Sequence, residues 1–482
     1  MSSTLLTTNV MPDYAVSRAT YESRRQEHLG EMRRRVPAHL ERLAWPAARL
    51  QAERDARLRD LIRIARERSS WHRERLGHLI LDDFGADDLS RIPVMTKHDL
   101  MANFDQIVTD PRVTLNAIES HLVHLIADNY LFDRFHPVAS GGSSGQRGVF
   151  VYDWESWADC YLSCLRYVIR LQGPASTQRP MRLGAIAAEH ATHMSSALPQ
   201  TFSDPAVLAP IRIPITLPLP RIVARLNEAN PDGLIAYASI LPELAHEASS
   251  GRLRIAPRSI IAVSEPLLPE IRAVAEETWG VPVMNWWASS EAGGMGIACG
   301  RGRGMHLSDD LIIVEPVDAE GRPVPPGVRS DKIYLTNLYN PLLPLIRFEI
   351  TDQITLIPGD DPCPCGSAHR RLEDVHGRLD DLFLYPGVGA VHPHLFRSRL
   401  GRERNIVEYQ VRQTARGAAI AIRTHGEVDT SRLGAAIAAD LSRLGLWDPA
   451  IAVDAVDHLE RQATGKLKRF LPLAATAANT TA

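Results

Sequence analysis

The sequence lacks any apolar run long enough to cross a membrane, for which about 18 consecutive apolar residues are needed. The segment from Met1 to Arg18 is polar and lacks the short apolar core of a secretory signal peptide. The expected location is therefore the cytoplasm, and no membrane partner is expected.

Cysteine is too scarce for a disulfide framework, because the 482 residues include only five. A strong charge imbalance is also missing, since the formal net charge is −3 and gives no general attraction to nucleic acid. Hydrophobic residues make up 45% of the chain and charged residues 23%, which are the proportions of an ordinary globular protein. The composition favours an enzyme that acts on small molecules.

The length exceeds what one hydrophobic core usually supports, so two or more domains are expected. Residues 1–75 are rich in Arg, Glu, Ala and Leu, which predicts surface helices. Residues 76–380 alternate short apolar segments with helical ones, which predicts a large α/β domain of layered sheets and helices with a β-rich part. Residues 381–475 predict a small α+β domain, and residues 476–482 a disordered tail.

The elements that support this division have clear periodicity. The predicted helices include Arg221–Asn230, Pro242–Ser249, Pro269–Trp279 and Asp429–Leu444. The predicted strands include Arg182–Ala188, Gly233–Ala238, Ile260–Val263, Val407–Gln413 and Ala418–Thr424. The segments predicted to be β-rich are Leu311–Val317, Lys332–Asn337 and Gln353–Ile357.

A loop rich in serine and glycine lies before residue 150. It consists of Ser140, Gly141, Gly142, Ser143, Ser144 and Gly145. Glycines leave backbone N–H groups accessible and serine hydroxyls add donors, so such a loop can surround a phosphate. A flexible surface turn is the alternative. The loop lacks Gly-Lys-[Ser/Thr], which weighs against a P-loop kinase or GTPase.

Four further motifs follow the loop along the chain. They are Trp286-Trp287-Ala288-Ser289-Ser290-Glu291, Arg347-Phe348-Glu349-Ile350-Thr351-Asp352, Gly377-Arg378-Leu379-Asp380-Asp381 and Thr464-Gly465-Lys466. Their order and spacing resemble the adenylate-forming superfamily of acyl-CoA synthetases, adenylation domains and luciferases. The closest resemblance is to the phenylacetate–CoA ligase branch, and it extends over roughly residues 60 to 470.

The resemblance implies a nucleotide site. The Ser/Gly loop would hold the β- and γ-phosphates of ATP. Ser264, Glu265 and Pro266 resemble a Gly-Glu-Pro segment that lines the adenine pocket. By the same resemblance, Trp287 would lie against adenine, Ser290 would bond the α-phosphate, Glu291 would hold Mg²⁺, Asp352 would accept both ribose hydroxyls, and Arg378 would contact ribose and phosphate.

The resemblance also implies motion and chemistry. Asp380 corresponds to a hinge about which the small C-terminal domain rotates, and Lys466 to the lysine that reaches the carboxylate and the α-phosphate. Lys468 is the rival lysine. The implied reaction converts a carboxylic acid and ATP to an acyl-adenylate and pyrophosphate, and then transfers the acyl group to coenzyme A. The expected partners are a small carboxylic acid, ATP and CoA, and a homodimer is compatible with the sequence.

Two departures from the family pattern leave other functions open. The loop lacks its usual lysine, and either Arg147 or hydrogen-bond donors alone would have to take over. Ala288 replaces a glycine. A catalytically weakened relative that only binds a nucleotide or a partner is therefore one alternative. The others are transfer to an amine or a carrier-protein thiol, and an unrelated phosphotransferase that would release ADP.

The acyl pocket is implied to lie before the adenine motif and before the Glu motif. The candidates are Tyr237, Asn285 and Trp286, with His190 and His193 from an earlier segment. The two large aromatic residues suggest a flat apolar slot, which suits an aromatic acid. Core packing of Trp286 and ordinary loop roles for both histidines are the alternatives.

Three cysteines and a histidine lie in two glycine-rich loops. Cys299 and His306 are in the first, and Cys363 and Cys365 are in the second. Three thiolates and one imidazole would complete a closed, tetrahedral Zn²⁺ site of the structural type. His369 is the rival nitrogen ligand, and free thiols are the alternative.

Overall fold

The computed structural model describes residues 18–125, 127–140, 147–172, 180–187, 191–204, 208–265, 267–373, 375, 383–391, 393–403, 405–424, 426–460 and 469–473. The predicted tail, residues 476–482, lies outside this part of the chain. We call residues 18–375 the large unit and residues 383–473 the C-terminal unit.

Helices and strands of the described residues are numbered in chain order. The helices are α1 Arg18–Arg42, α2 Ala47–Arg68, α3 Ser70–Leu76, α4 Lys97–Ala102, α5 Phe104–Ile107, α6 Leu115–His124, α7 Trp154–Gln172, α8 Met194–Phe202, α9 Leu219–Ala229, α10 Leu241–Ser249, α11 Pro269–Trp279, α12 His394–Leu400 and α13 Thr430–Arg443. The strands are β1 His136–Ser140, β2 Gly148–Tyr152, β3 Met181–Ala187, β4 Leu208–Pro214, β5 Gly233–Tyr237, β6 Ile260–Val263, β7 Val283–Ser289, β8 Gly293–Ile297, β9 Met305–Leu307, β10 Ile312–Val317, β11 Lys332–Asn337, β12 Phe348–Ile350, β13 Arg371–Leu372, β14 Phe383–Tyr385, β15 Gly389–Val391, β16 Ile406–Thr414, β17 Gly417–Thr424, β18 Ala450–Ala455 and β19 Phe470–Leu471.

The central sheet of the large unit has eight strands in the order β13-β9-β8-β7-β6-β5-β3-β4. The strands from β4 to β7 are parallel, and β8, β9 and β13 continue the sheet in antiparallel fashion. The predicted α/β class is confirmed. The carboxyl ends of the parallel strands meet at one edge, which is where open α/β sheets bind ligands.

Helices cover both faces of this sheet. On one face, Ile222 of α9, Leu244 of α10 and Ile271 of α11 share a core with strand residues such as Leu234. On the other face, Tyr167 of α7 packs with Ile261, Met284 and Trp286. Burial on both faces explains why these strands read as continuous apolar runs.

Two smaller sheets flank the central one. The hairpin β1–β2 pairs Ser140 with Gly148 and encloses the Ser/Gly loop. Strands β10, β11 and β12 form an antiparallel sheet that carries the Asp352 motif at its end. The segment Gln353–Ile357, predicted to be β-rich, forms isolated bridges such as Arg329 with Thr355 and Leu356 with Leu372 instead of a continuous strand.

The N-terminal helices are less exposed than the sequence predicts. In α1, Tyr21 and His28 are at most 2% exposed. Arg35 and His39 both bond the Asp159 carboxylate of α7, at 3.0 Å. The arginines of α1 therefore do not form a purely solvated face, and this helix belongs to the core of the large unit.

The C-terminal unit is an α+β fold with its own core. Its four-stranded sheet has the order β18-β17-β16-β19, and α12 and α13 pack on it. Phe396, Val411 and Ile437 are fully buried there. The α+β prediction is confirmed. The boundary at residue 380 stays a prediction, because residues 376–382 lie outside the described chain.

None of the helices in the described residues is both long and apolar enough to cross a membrane.

Candidate active site

The Glu291 motif lies at the ligand-binding edge of the sheet, between β7 and β8. The Gly294 N–H donates to the Ser163 hydroxyl of α7 at 2.8 Å. A Cβ atom at Gly294 would lie 2.9 Å from the α7 backbone at Ser163 and Cys164. Only glycine allows this close approach, so β8 lies directly on α7. This contact fixes the turn before β8, which carries Glu291.

Glu291 forms an ion pair with a lysine that the sequence did not single out. Its carboxylate lies 3.6 Å from the ammonium of Lys97, at the start of α4. Glu291 is 8% exposed, and its backbone oxygen accepts a hydrogen bond from Asn337 at 2.9 Å. Glu291, the predicted Mg²⁺ ligand, is therefore a buried carboxylate with a fixed backbone, and Lys97 balances its charge.

Local structure explains how Lys97 reaches this edge. Thr96 and Asp99 form a reciprocal capping box, which starts α4 with Lys97 as its first residue. The N–H of Met95 donates to Arg347, and the N–H of Glu349 donates to Met95. Lys97 is thus joined to the strand that leads to Asp352.

Burial lowers the pKa of Lys97, and Glu291 opposes this effect. The positive charge of Arg469, from the C-terminal unit, lowers it further. Arg469, three positions after Lys466 in the sequence, therefore adds positive charge to the surroundings of Lys97.

Asp352 and Trp287 are joined directly. The indole N–H of Trp287 donates to the Asp352 carboxylate at 2.7 Å. Burial raises the pKa of Asp352, whereas the bond from Trp287 lowers it. The residues predicted for adenine and for ribose are neighbours, and the indole supplies a hydrogen bond that fixes the carboxylate.

Ser290 and the adenine segment also lie at the sheet edge. The backbone oxygen of Ser290 accepts from the Tyr152 hydroxyl at 2.8 Å, which links the Glu motif to β2. Ser264 has φ of +66°, where L-residues are rare, and this explains a glycine at the matching family position. Glu265 accepts the N–H of Ser239 at 2.9 Å.

Several predicted residues lie outside the described part of the chain, so their placement stays a prediction. They are Gly141, Gly142, Ser143, Ser144, Gly145, His190, Pro266, Arg378, Asp380 and Lys466. Ser140 is described, and its hydroxyl accepts the Gly148 N–H at 3.0 Å across the base of the loop. Arg147 is ion-paired with Glu119 and donates to the Gly401 carbonyl.

The acyl-pocket candidates divide between the two faces of the sheet. Tyr237 pairs with Val263, and Val263 pairs with Trp286, but Tyr237 packs in the core formed with α9, α10 and α11, whereas Trp286 packs with Tyr167 of α7. Asn285 alternates with Trp286 and lies on the other face. Trp286 also packs with Cys299 and Cys363. His193 precedes α8 as its N-cap.

Lys97 could have been found from composition. Only four of the 54 Lys and Arg residues are lysines, namely Lys97, Lys332, Lys466 and Lys468. In a chain that otherwise uses arginine, a lysine marks a position that favours a compact ammonium over a planar guanidinium. Its pairing with Glu291 is long-range, and no local pattern predicts it.

The predicted cysteine and histidine donors form one cluster. The donor atoms of Cys299, His306, Cys363 and Cys365 all lie within 4.8 Å of one another. The Cys299 and Cys363 sulfurs are 3.6 Å apart, and the Cys365 sulfur is 3.3 Å from Nε2 of His306. Gly366, with φ of +77°, turns the chain after Cys365.

The surroundings of the cluster suit a metal. His306 Nδ1–H donates to the His369 carbonyl at 3.3 Å, which leaves Nε2 as the free acceptor towards the sulfurs. Burial raises the pKa of the Cys299 thiol, but its interactions with the His306 ring and the Arg301 backbone outweigh this effect and lower the pKa overall. The rival His369 directs both ring nitrogens to backbone carbonyls instead.

Comparisons with known proteins agree with this architecture. No family model matches the chain. Phenylacetate–coenzyme A ligase of Thermus thermophilus is 27% identical over 202 residues, 41% of this chain and 43% of that protein. The enzyme of the same name from Escherichia coli is 24% identical over 393 residues, 76% of this chain and 80% of that protein. The match to the Thermus protein spans less than half of its length.

Solved structures show the same fold. A 2-hydroxyisobutyryl-CoA ligase, in complex with 2-HIB-AMP and CoA in the thioesterification state, superposes with a TM-score of 0.59 at 18% identity. The match covers 89% of this chain and 91% of that one. The same ligase in its postadenylation state gives a TM-score of 0.56 at 19% identity. The predicted resemblance is confirmed.

Proposed function

Because the chain has the fold of the adenylate-forming enzymes and is similar in sequence to phenylacetate–coenzyme A ligases, we propose that it is an AMP-forming acid–CoA ligase. One observation carries the proposal. Lys97 with Glu291, and Trp287 with Asp352, converge at the carboxyl edge of the parallel strands. This edge combines a carboxylate for a metal–nucleotide complex, a cation for phosphate and an acceptor for ribose.

In the first half-reaction, a carboxylate oxygen of the acid bonds to the α-phosphorus of ATP. The bond between that phosphorus and the bridging oxygen to the β-phosphate breaks, and pyrophosphate leaves. Negative charge builds up on the phosphates. Lys97, Ser290, the Ser140–Gly145 loop and Lys466 are proposed to stabilise it.

Mg²⁺ suits this edge, because it prefers oxygen ligands and enters such sites with substrate phosphates. The buried Glu291 carboxylate is the proposed protein ligand, and Lys97 balances its charge. When bound, Mg²⁺ would neutralise phosphate charge. Asp352 and Trp287 orient the ribose, and Glu265 and Arg378 are proposed to complete the nucleotide site.

In the second half-reaction, the thiol sulfur of CoA bonds to the acyl carbon, AMP leaves with the oxygen, and the thiol proton passes to solvent. Rotation of the C-terminal domain about Asp380 is proposed to separate the two steps. The separate core of the C-terminal unit supports this division. An aromatic acid is the proposed substrate, with Tyr237 and Trp286 as the proposed aromatic residues of its pocket, each from its own core.

A panel of carboxylic acids with ATP, scored for pyrophosphate release with and without CoA, tests the function. We expect release with at least one acid and stimulation by CoA. Trapping of the acyl group only by amines would favour the alternative acceptor. Release of ADP instead of AMP, or no activity of folded protein across a broad panel, would refute the ligase.

Replacement of Lys466 tests its assigned half-reaction. Lys466→Ala should abolish adenylation and spare thioester formation from a supplied acyl-adenylate. Lys468→Ala is the matched control and should leave both steps active. Equal loss of both half-reactions in Lys466→Ala would contradict the assignment.

We also propose that the Cys299–His306–Cys363–Cys365 cluster holds a structural Zn²⁺. Three thiolates and one imidazole within 4.8 Å are the donor set of a closed zinc site. The ion would join the loop after Glu291 to β13. Metal analysis of protein purified without chelator should find one zinc per chain, lost in Cys363→Ser and retained in Cys164→Ser. Absence of zinc from the unaltered protein would exclude the site.

A further inference from the structure

Arg147 has a fixed place at the base of the β1–β2 hairpin. The pair Ser140–Gly148 and the 3.0 Å bond from the Gly148 N–H to the Ser140 hydroxyl close this base. Arg147 is adjacent to that pair in the chain. A change in the contacts of the Arg147 side chain can therefore shift the ends of β1 and β2, which the Ser/Gly loop connects in the chain.

The guanidinium of Arg147 is held by the carboxylate of Glu119, on α6. The two side chains are 11% and 6% exposed. Neither charge can be removed without leaving the other uncompensated in a buried place. In this arrangement the guanidinium serves Glu119 and does not supply a free charge for a phosphate, unlike one of the roles that the sequence suggests.

The same guanidinium also contacts the other unit. Its Nε–H donates to the carbonyl oxygen of Gly401 at 2.8 Å. Gly401 follows α12, and the last carbonyls of a helix have no partner within it and carry partial negative charge. Arg147, from the large unit, thus caps a helix of the C-terminal unit.

Glu119 offers this N–H a second acceptor. Its Oε2 atom is buried and has no hydrogen-bond partner among the described residues. If α12 moves away, the guanidinium can turn until its parallel Nε–H and Nη2–H both face the Glu119 carboxylate, with Oε2 as the second acceptor. Arg147 and Glu119 would then form a two-bond fork, which is the preferred geometry of arginine with a carboxylate.

We propose that Arg147 is a positioning residue, which docks the C-terminal unit through Gly401 in one arrangement and closes on Glu119 in the other. Such a contact has two discrete states, so it links the position of the C-terminal unit to the hairpin that carries the Ser/Gly loop. This docking role is separate from the roles that we propose for the nucleotide-binding residues.

The expected effect on catalysis rests on the proposed function. The docked arrangement brings Arg469 close enough to Lys97 for their charges to interact. Adenylation is the half-reaction assigned to Lys466, which lies three positions before Arg469. Loss of docking should therefore slow adenylation more than transfer to CoA.

The test compares Arg147→Gln with the unaltered enzyme in both half-reactions, ATP–pyrophosphate exchange and thioester formation from a supplied acyl-adenylate. The ratio of the two rates should shift against adenylation by about fivefold or more, the lower range of couplings between sites. The double variant Arg147→Gln/Glu119→Gln removes the unpaired carboxylate and should show the same shift if the single variant folds poorly.

Arg134→Gln is the matched control, because Arg134 forms an exposed ion pair with Glu155 and should leave the ratio unchanged. A second measurement does not depend on activity: energy transfer between fluorophores at the exposed positions Ile80 and Trp447. Arg147→Gln should change the distance between the units in the absence of ligand. An unchanged ratio or an unchanged distance in the folded variants would overturn the proposal, and inactivity of the unaltered protein would refute only the ligase.

Discussion

Two buried ion pairs in the large unit differ in geometry. Arg166 and Asp310 form a fork with two bonds of 2.8 Å, and both side chains are fully buried. Lys97 and Glu291 are 3.6 Å apart, and their side chains are 12% and 9% exposed. The fork joins α7 to the segment before β10, whereas the looser pair lies at the edge of the parallel strands.

This difference separates a structural pair from one that can bind a ligand. In the fork, both carboxylate oxygens of Asp310 are used by Arg166. In the looser pair, the compact ammonium of Lys97 faces one oxygen of Glu291 at 3.6 Å, without the planar two-bond geometry of an arginine fork. Stability should therefore depend most on the first pair and catalysis on the second.

The largest effect is expected where the fork is broken. Arg166→Met should lower the free energy of unfolding by about 3–5 kcal/mol, because the buried Asp310 carboxylate loses both of its short bonds and keeps only longer contacts such as that with Arg42 at 3.8 Å. Urea unfolding measures the change. The control Arg112→Met, in an exposed pair with Asp110, should change it by about 0–1 kcal/mol. An equal decrease in the free energy of unfolding of both variants would show that the buried Arg166–Asp310 pair matters no more for stability than an exposed one.

Breaking the looser pair should affect catalysis instead. Lys97→Met should reduce the adenylation rate by about 10²–10³-fold, the cost of removing one donor that stabilises developing charge. Lys332→Met is the matched control, since Lys332 is paired with Glu349 and not with Glu291. Pyrophosphate exchange measures both variants. An active Lys97→Met enzyme would show that this pair is structural as well.

A smaller effect is expected at the Trp287–Asp352 bond. Trp287→Phe keeps an aromatic ring and removes the N–H, which should weaken ATP binding by about 1.5 kcal/mol, the low end for hydrogen bonds to charged groups. The bond lowers the pKa of Asp352, so its loss should raise that pKa. On acidification, the KM for ATP should then begin to rise at a higher pH. Trp286→Phe, the control, should leave this pH profile unchanged.

The smallest effect is the acid dependence of the fork. Burial raises the pKa of Asp310, but the bonds from Arg166 outweigh it and hold the pKa well below its usual range. Because folding lowers the pKa of Asp310, its ionised carboxylate stabilises the folded protein fully above the unfolded-state pKa of about 3.9. As the pH falls below that value, the free energy of unfolding should decrease by up to about 1.4 kcal/mol per pH unit. The free energy of unfolding, measured at pH 6, 4 and 3, should fall less steeply with acidification in Arg166→Met/Asp310→Leu than in the unaltered protein. The same pH dependence in both proteins would contradict a contribution of the Arg166–Asp310 pair.

Local patterns predicted much of the fold. Strands Ile260–Val263 and Lys332–Asn337 and helix Pro269–Trp279 have their predicted bounds, because apolar periodicity and flanking Pro or Gly residues mark them. The Cys/His cluster was predictable from its spacing. Arg147 with Glu119, and Lys97 with Glu291, were not, because partners distant in sequence meet only through the tertiary fold.

The buried position of α1 has a consequence for synthesis of the chain. This helix is translated well before its partners Asp128, Asp159 and Asp310. Until then its apolar and aromatic face has nothing to cover it, and contacts of such long sequence separation form slowly. A ribosome-bound nascent chain that ends before α7 and α8 should therefore expose the aromatic face of α1 to chaperones, because His28 packs on Trp154 and Phe202 of those helices.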